Sequence, residues 1–229
     1  FIDIQKKCRS FHEHNEDRVS NEIIKHIKNQ KIISIVSDAG TPAISDPGYR
    51  LIKLCGNLDI EYTLIPGASS VISALIMSGL PTDKFSFYGF IPRKSSEQEK
   101  FIENLKNEEK TSIFFESSKR IENTLNNLSK WIEPDRHISI CKEMTKIHEK
   151  VIRGKMSDIL DSIHKNKINL KGEIVIVMEG QIKNKINLQI DAKIKKEFLT
   201  KLSVADASKL IASITGKNKR EIYKKLIEK

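Results

Sequence analysis

Short apolar runs alternate along the first 80 residues with segments whose apolar positions recur at helical spacing. Residues 15–29 place four apolar side chains on one face of a helix: Val19, Ile23, Ile24 and Ile27. The runs 32–36 (IISIV) and 60–65 (IEYTLI) predict buried strands, since such runs are typical of parallel sheets covered on both faces. Further helices are predicted from Tyr49 to about Cys55, and from Ser69 or Ser70 to a stop at Gly79–Pro81. This alternation predicts βαβ units.

The pattern repeats with different details after Pro81. Strands are predicted in KFSFYGFI, TSIFF, HISICKEM, KIHEKVIRG and GEIVIVMEG. Helices are predicted over 95–107, with Ser as its cap, over 117–132 and over 155–166. The second of these carries its apolar residues on one face: Ile121, Leu125, Leu128 and Ile132. We therefore predict two α/β domains, 1–80 and 81–182, with a hinge at Pro81.

Residues 183–229 are predicted to form a basic linker and a small helical tail. Ser203 and Asp206 fit a capping pattern for the first tail helix, and Gly216 ends it. Asn218, with Glu221 three residues on, opens the second. Two amphipathic helices joined at a glycine fit either a helix-turn-helix or a hairpin that only packs on the body.

The net charge of +10 is concentrated in the tail. Residues 181–229 hold 13 Lys and Arg against 5 Asp and Glu, so the body before them is close to neutral. A basic tail indicates a polyanionic partner such as RNA or DNA. The alternative is lysine enrichment in an AT-rich genome, because Lys outnumbers Arg 32 to 8.

The cysteines and histidines indicate neither a disulfide framework nor a metal site. Cys8, Cys55 and Cys141 are an odd, scattered set without a CxxC pair, which favours a reducing cytosol. His12 and His14 flank Glu13 without a third ligand, so we predict no metal. The apolar runs are too short for a membrane span.

The loop SDAGTP, residues 37–42, directly follows the predicted strand 32–36. In open α/β sheets, ligands bind beyond the carboxyl ends of the strands. Gly40 allows close backbone approach, and Asp38 can accept hydrogen bonds from a ligand. IPGASS, residues 65–70, follows the next predicted strand in the same way. The chain has neither GxGxxG nor GxxxxGKS, so the loops suit a ligand with donors and positive charge, or form a stiff structural turn.

Several motifs occur together in a family-specific order. They are VSDAGTPAISDPGYRLI, IPGASSVISALIMSGLPTDKFSFYGFIPRK, FFESSKRIENTL, CKEMTKIHE and KGEIVIVMEG. In this order they resemble the rRNA small subunit methyltransferase I family, of the tetrapyrrole-methylase fold class. The resemblance implies two α/β domains with S-adenosylmethionine between them, usually in a homodimer. The implied reaction methylates the ribose 2′-hydroxyl of a cytidine in the decoding region of small-subunit rRNA, with the rRNA or the 30S subunit as partner.

The resemblance and the chemistry of methyl transfer nominate site residues. The implied cofactor contacts are Ser37, Asp38, Gly40, Thr41, Ala68, Ser69, Phe115 and Glu116. The candidates for activating or orienting the hydroxyl are Glu143, Lys146 and Glu116. The candidates for binding RNA phosphates are Arg120, Lys217, Lys219, Arg220 and Lys224. Surface ion pairs are the alternative role for these charged residues.

The family's PIGN-type loop and AEDTR segment do not occur in this chain, whereas FHEHNE, residues 11–16, still matches. We therefore expect an incomplete first sheet that lacks its N-terminal strand, and weak cofactor binding. Two rival functions stay open. One is C-methylation of a tetrapyrrole or corrin precursor, against which the basic tail and the absence of a GDP loop argue. The other is a non-catalytic RNA-binding remnant.

Overall fold

The fold is known from a computed structural model that describes residues 8–37, 40–181, 192–215 and 218–227. These residues fall into two units, Phe1–Gln181 and Ile182–Lys229. The helices of the first unit are α1 Glu16–Lys28, α2 Tyr49–Asn57, α3 Ser70–Ser78, α4 Ser95–Lys106, α5 Ile121–Leu128 and α6 Met156–His164. Its strands are β1 Phe85–Phe90, β2 Thr111–Ser117, β3 His137–Lys142, β4 Lys150–Lys155 and β5 Glu173–Met178. The second unit contains α7 Ala192–Lys201, α8 Val204–Thr215 and α9 Lys219–Ile227.

The five strands form one mixed sheet in the order β1-β2-β5-β3-β4. Strands β1 and β2 are parallel, and β5 runs antiparallel to both β2 and β3. Strand β4 pairs antiparallel with β3. All five strands predicted in the second half are confirmed.

Helices cover both faces of this sheet. On one face, α4, α5 and α6 pack around the fully buried Phe114, and the predicted apolar face of α5 is confirmed there. On the other face, α3 packs Val71, Ala74 and Leu75 against β2, β3 and β5. Strand β5 divides its side chains between the two cores, with Ile176 in the first and Val177 in the second. Its uninterrupted apolar sequence therefore follows from burial on both faces.

The prediction of two strands in the first half of the chain is wrong for this structure. Residues 32–36 and 60–65 form no ladder, and Ile32, Val36 and Ile65 are 96%, 83% and 86% exposed. A strand requires backbone partners, and no strand lies beside these segments among the described residues before Phe85. Both segments are apolar, but an apolar segment forms a strand only where another strand lies beside it. The predicted Ser cap of α4 is also wrong, because Lys94 precedes the helix as its N-cap residue.

A buried carboxylate joins α1 to α2. Glu16 is 7% exposed, and its Oε1 accepts hydrogen bonds from the backbone N–H of Gly48 at 2.9 Å and of Arg50 at 3.2 Å. These amides belong to the first turn of α2, where helix N–H groups have no partner within the helix. Glu16 therefore anchors the loop that ends at Gly48.

The second unit is a small helical bundle. Helices α8 and α9 confirm the prediction, whereas α7 was missed because its residues lack a clean period. Ser203 Oγ accepts a hydrogen bond from Asp206 N at 3.1 Å, and Asn218 Oδ1 accepts one from Arg220 N at 2.9 Å, which confirms both caps. Gly216, the predicted end of the first tail helix, lies outside the described residues. Across the described ranges, every helix is too short or too polar to span a bilayer.

Candidate active site

A cleft of about 520 Å³ opens at the sheet edge where β1, β2 and β3 end and β5 begins. It is lined by parts of the loop 37–46, by the start of α3 and by residues at these strand ends. The volume suits a small organic ligand. The first half of the chain thus supplies one wall of the cleft, and the sheet supplies the other.

The loop that follows Gly40 has an unusual backbone. Four of its residues have positive φ: Gly40 at 79°, Ala43 at 67°, Ser45 at 58° and Gly48 at 141°. Two of these are not glycine, so the loop holds conformations that L-residues rarely adopt. Such strain persists only when surrounding contacts impose it, and it is concentrated at functional sites.

Side-chain hydrogen bonds between described residues hold this loop in place, and three of them are informative. Ser37 Oγ donates to Asp46 Oδ2 at 3.0 Å, and Thr41 Oγ1 donates to the carbonyl oxygen of Ala68 at 3.1 Å. The third is the contact of Glu16 with Gly48. The loop is therefore tied to itself, to the turn before α3 and to α1.

Most of the predicted cofactor contacts converge on the cleft. Those that line it are Ser37, Gly40, Thr41, Ser69, Phe115 and Glu116. Ala68 instead contributes its carbonyl oxygen to the bond with Thr41. Asp38 lies outside the described residues. The structure brings these residues together, and their role in binding a cofactor stays a prediction.

Glu116, in the wall of the cleft, forms an anchor with Arg120. The Glu116 side chain is fully buried; its Oε1 accepts from Ser117 N at 2.7 Å and its Oε2 from Thr124 Oγ1 at 2.6 Å. Arg120 lies 3.3 Å from the same carboxylate and donates to the carbonyl oxygens of Ile91 and Pro92, each at 3.1 Å. These contacts tie the ends of β1 and β2 to α5. They favour a positioning role, and the predicted catalytic and phosphate-binding roles stay predictions.

Lys146 forms a charged cluster with two carboxylates. Its Nζ lies 2.9 Å from Glu173 Oε1 and 3.7 Å from Glu143 Oε1. The hydrogen bond to Glu173 raises the pKa of Lys146. The backbone N–H of Glu173 donates to Glu143 Oε1 at 2.6 Å, and this bond lowers the pKa of Glu143. At neutral pH Lys146 is therefore an ammonium and Glu143 a carboxylate.

The cluster has a demanding backbone geometry. Glu143 and Thr145 have φ of 50° and 65°, and Gly172 has φ of 110°. A Cβ on Gly172 would lie 2.6 Å from Glu143 Oε1. Only glycine fits there, because the Glu143 carboxylate occupies the space of a side chain.

Lys146 and Glu173 line the cleft, whereas Glu143 lies behind them. Sequence reasoning nominated Glu143 and Lys146 but missed Glu173, which it placed inside the predicted strand GEIVIVMEG. The glycine that opens this predicted strand is the signal that could have drawn attention to Glu173.

The RNA-binding and metal predictions concern other residues. Lys219, Arg220 and Lys224 are exposed on α9, and Lys217 lies outside the described residues. His12 and His14 lie in a turn, with ring centroids 6.0 Å apart. In the part of the chain that the structure describes, no group of three or more His, Cys, Asp or Glu is placed to hold a metal ion.

Solved structures share this fold. The chain is similar to the methyltransferase CobJ, with a TM-score of 0.56 and 16% identity over 75% of this chain and 73% of that one. It is also similar to a diphthine synthase, with a TM-score of 0.53 and 12% identity over 74% and 68% of the two chains. At such low identity the likeness shows the fold alone.

The family model for tetrapyrrole (corrin/porphyrin) methylases matches residues 1–160, so the chain belongs to this family. Three curated relatives are each named ribosomal RNA small subunit methyltransferase I. The Rickettsia prowazekii relative is 38% identical over 97% of this chain and 77% of its own length. The Pasteurella multocida relative is 33% identical over 96% of this chain and 79% of its own length. The Halalkalibacterium halodurans relative is 39% identical over 78% of this chain, and the matched part of this chain spans 61% of that relative's length. The predicted resemblance and the predicted α/β fold class are both confirmed.

Proposed function

We propose that this protein transfers a methyl group from S-adenosylmethionine to the ribose 2′-hydroxyl of a cytidine in the decoding region of small-subunit rRNA. The observation that carries the proposal is the cleft, which the motif loops of the sequence build. The chain is 38% identical to a relative named ribosomal RNA small subunit methyltransferase I. The name supports an rRNA substrate. The ribose oxygen and the cytidine rest on the motif resemblance.

The lining of the cleft fits S-adenosylmethionine. The hydroxyls of Ser37 and Ser69 and the carboxylate of Asp46 offer acceptors to an ammonium and to ribose hydroxyls, while Val71 and Phe115 offer apolar surface. A Cβ on Gly40 would meet no heavy atom of the described residues within 4 Å, so a ligand can approach its backbone. When bound, the cofactor supplies a methyl group on a positively charged sulfonium.

The charged cluster can orient the substrate and receive its proton. Lys146 stays an ammonium and suits a phosphate beside the target ribose. Glu173 lines the cleft with a side chain that is 73% exposed, so it can reach the hydroxyl, which Glu143 behind it cannot do as readily. Displacement at the methyl group requires the oxygen to be aligned and its proton removed. We assign this proton transfer to Glu173, with Glu143 holding Lys146 and the backbone of Glu173 in place.

The second unit would supply affinity for the RNA. Exposed Lys219, Arg220 and Lys224 on α9 suit the phosphate backbone of the 30S subunit. A homodimer, a cytoplasmic location and a reaction that uses no metal remain expectations from the sequence.

A methylation assay tests the proposal. Unmethylated 30S subunits are incubated with the protein and methyl-labelled S-adenosylmethionine, and the digested nucleosides are separated by mass. We expect label in 2′-O-methylcytidine. Label in a base would contradict the assigned atom. A parallel incubation offers uroporphyrinogen III, and label there but not in RNA would favour the tetrapyrrole rival.

A matched pair of variants tests the role of Glu173. Glu173→Gln should lower kcat while the Kd for S-adenosylhomocysteine stays at the parent value. Glu179→Gln, at the far end of β5 beside His137, is the control and should retain kcat. Equal rates for both variants would remove Glu173 from the reaction.

A further inference from the structure

A bulge in the edge strand β1 changes the direction of one aromatic side chain. Phe87 pairs with Ile113 on β2, but the next registered pair is Phe90 with Phe115, so β1 has one extra residue between these pairs. Gly89 lies in this interval with φ of 66°, as expected for a residue that permits a bulge. Bulges next to active sites re-aim side chains.

The aromatic contacts show which way Phe90 was turned. Tyr88 packs on Phe101, 5.4 Å between ring centroids, on the sheet face covered by α4. Phe87 packs on Phe115 at 5.0 Å, on the opposite face. In a regular strand Phe90 would share the face of Tyr88, because side chains alternate. Instead its ring lies 5.3 Å from that of Phe115. The bulge therefore brings Phe90 to the face that carries the cleft.

Phe90 is a cleft residue that packing does not explain. It lines the cleft and is 59% exposed, although its ring is braced by the half-buried Phe115. Ser117 and Ser118, which follow Phe115 on the same chain segment, line the same cleft and offer hydroxyls. A braced aromatic surface beside hydroxyl groups suits a planar heteroaromatic ring with polar edges.

We propose that Phe90 is the stacking platform for a nucleobase in the cleft. The inference rests on the proposed function, which provides two such rings: the adenine of S-adenosylmethionine and the base of the target nucleotide. An enzyme acting on a nucleotide within folded RNA must take it out of the stack, and an aromatic side chain then replaces the lost stacking. Phe90 serves one of these two rings.

The test uses one set of variants and a separate readout for each of the two rings. Phe90→Leu keeps an apolar side chain without the aromatic ring, and Phe90→Tyr keeps the ring. S-adenosylhomocysteine is titrated by calorimetry to report on adenine, and kcat/KM for unmethylated 30S subunits reports on the target base. Phe85→Leu is the matched control, because Phe85 is exposed on the same strand and does not line the cleft.

We expect Phe90→Leu to weaken one of the two readouts by about 5- to 100-fold, in line with the loss of one base–aromatic stack, and Phe90→Tyr to restore it. A change in the Kd for S-adenosylhomocysteine identifies adenine, and a change in kcat/KM with an unaltered Kd identifies the target base. Parent values in both readouts, or an equal loss in Phe85→Leu, would overturn the assignment. If the parent protein neither binds S-adenosylhomocysteine nor methylates RNA, the proposed function fails and this inference fails with it.

Discussion

The hydroxyl of Thr41 donates a hydrogen bond to the carbonyl oxygen of Ala68, 27 residues further along the chain, at 3.1 Å. This bond joins the loop after residues 32–36 to the turn before α3. Both segments line the cleft, yet neither is held by a strand ladder among the residues that the structure describes. The distance between the two loops therefore depends on side-chain contacts of this kind.

Thr41→Val removes the hydroxyl while nearly preserving shape. The loss of one hydrogen bond, about 0.5–1.5 kcal/mol, should loosen the loops and raise the Kd for S-adenosylhomocysteine by roughly 2- to 10-fold in calorimetry. Thr41→Ser retains the hydroxyl and should bind like the parent. An unaltered Kd for the valine variant would show that the bond does not shape the site.

Glu16→Ala should lower the free energy of unfolding in urea by about 0.5–2 kcal/mol, because two amides at the start of α2 lose their acceptor. Glu16→Gln should recover most of this, since Oε1 alone accepts both bonds. Asp17→Ala is the control: its exposed ion pair with Arg50 is expected to contribute about 0–1 kcal/mol. Equal losses at the two positions would argue against capping by Glu16.

Gly172→Ala should be destabilising by about 1–3 kcal/mol, because alanine rarely adopts the φ of 110° and its Cβ would collide with the Glu143 carboxylate. Adding Glu143→Ala removes the collision but not the backbone strain. The double variant should therefore be more stable than the sum of the two single changes predicts, as measured in a urea double-mutant cycle. Strict additivity would mean that the two residues do not meet.

Because of Cys141, the free energy of unfolding depends on pH in the alkaline range. Burial raises the pKa of its thiol from an ordinary value of 9 to about 12. The folded state therefore keeps a proton that the unfolded chain releases above pH 9. The resulting stabilisation is complete below pH 9 and is lost as pH rises toward 12.

Cys141→Ala should accordingly show a shallower fall in unfolding free energy between pH 9 and pH 12 than the parent does. Cys8→Ala, at an exposed cysteine, serves as the comparison and should follow the parent curve. Superimposable curves for the Cys141 variant and the parent would refute the link.

Replacing Lys219, Arg220 and Lys224 with alanine should weaken RNA binding and lower the slope of log K against log salt by up to about 2–3, since each phosphate contact releases counterions. The Kd for S-adenosylhomocysteine should not change. A matched triple variant at Lys53, Lys100 and Lys167, exposed on the first unit, removes the same charge elsewhere. An equal loss of RNA affinity in both triples would attribute binding to overall charge.

The sequence by itself determined most of the helices and the buried strands after Pro81. Ile121, Leu125 and Leu128 recur at helical spacing and lie on the buried face of α5, and Ser203 caps α8 as its position before Asp206 indicated. Local periodicity and capping succeed because they depend on residues within one turn or one strand. The motif loops likewise identified the family and most of the cleft lining.

Only the tertiary structure decided which segments pair and which side chains meet. Residues 32–36 are as apolar as a buried strand, but a strand also requires a ladder partner, and apolar composition does not name one. The contact of Lys146 with Glu173 depends on β5 lying beside β3, although β4 and α6 separate these two strands in the sequence. The direction of Phe90 depends on one extra residue in its register against β2. Each of these is a long-range relationship between backbones, whereas the hydrophobic pattern shows only where the apolar positions lie within one segment.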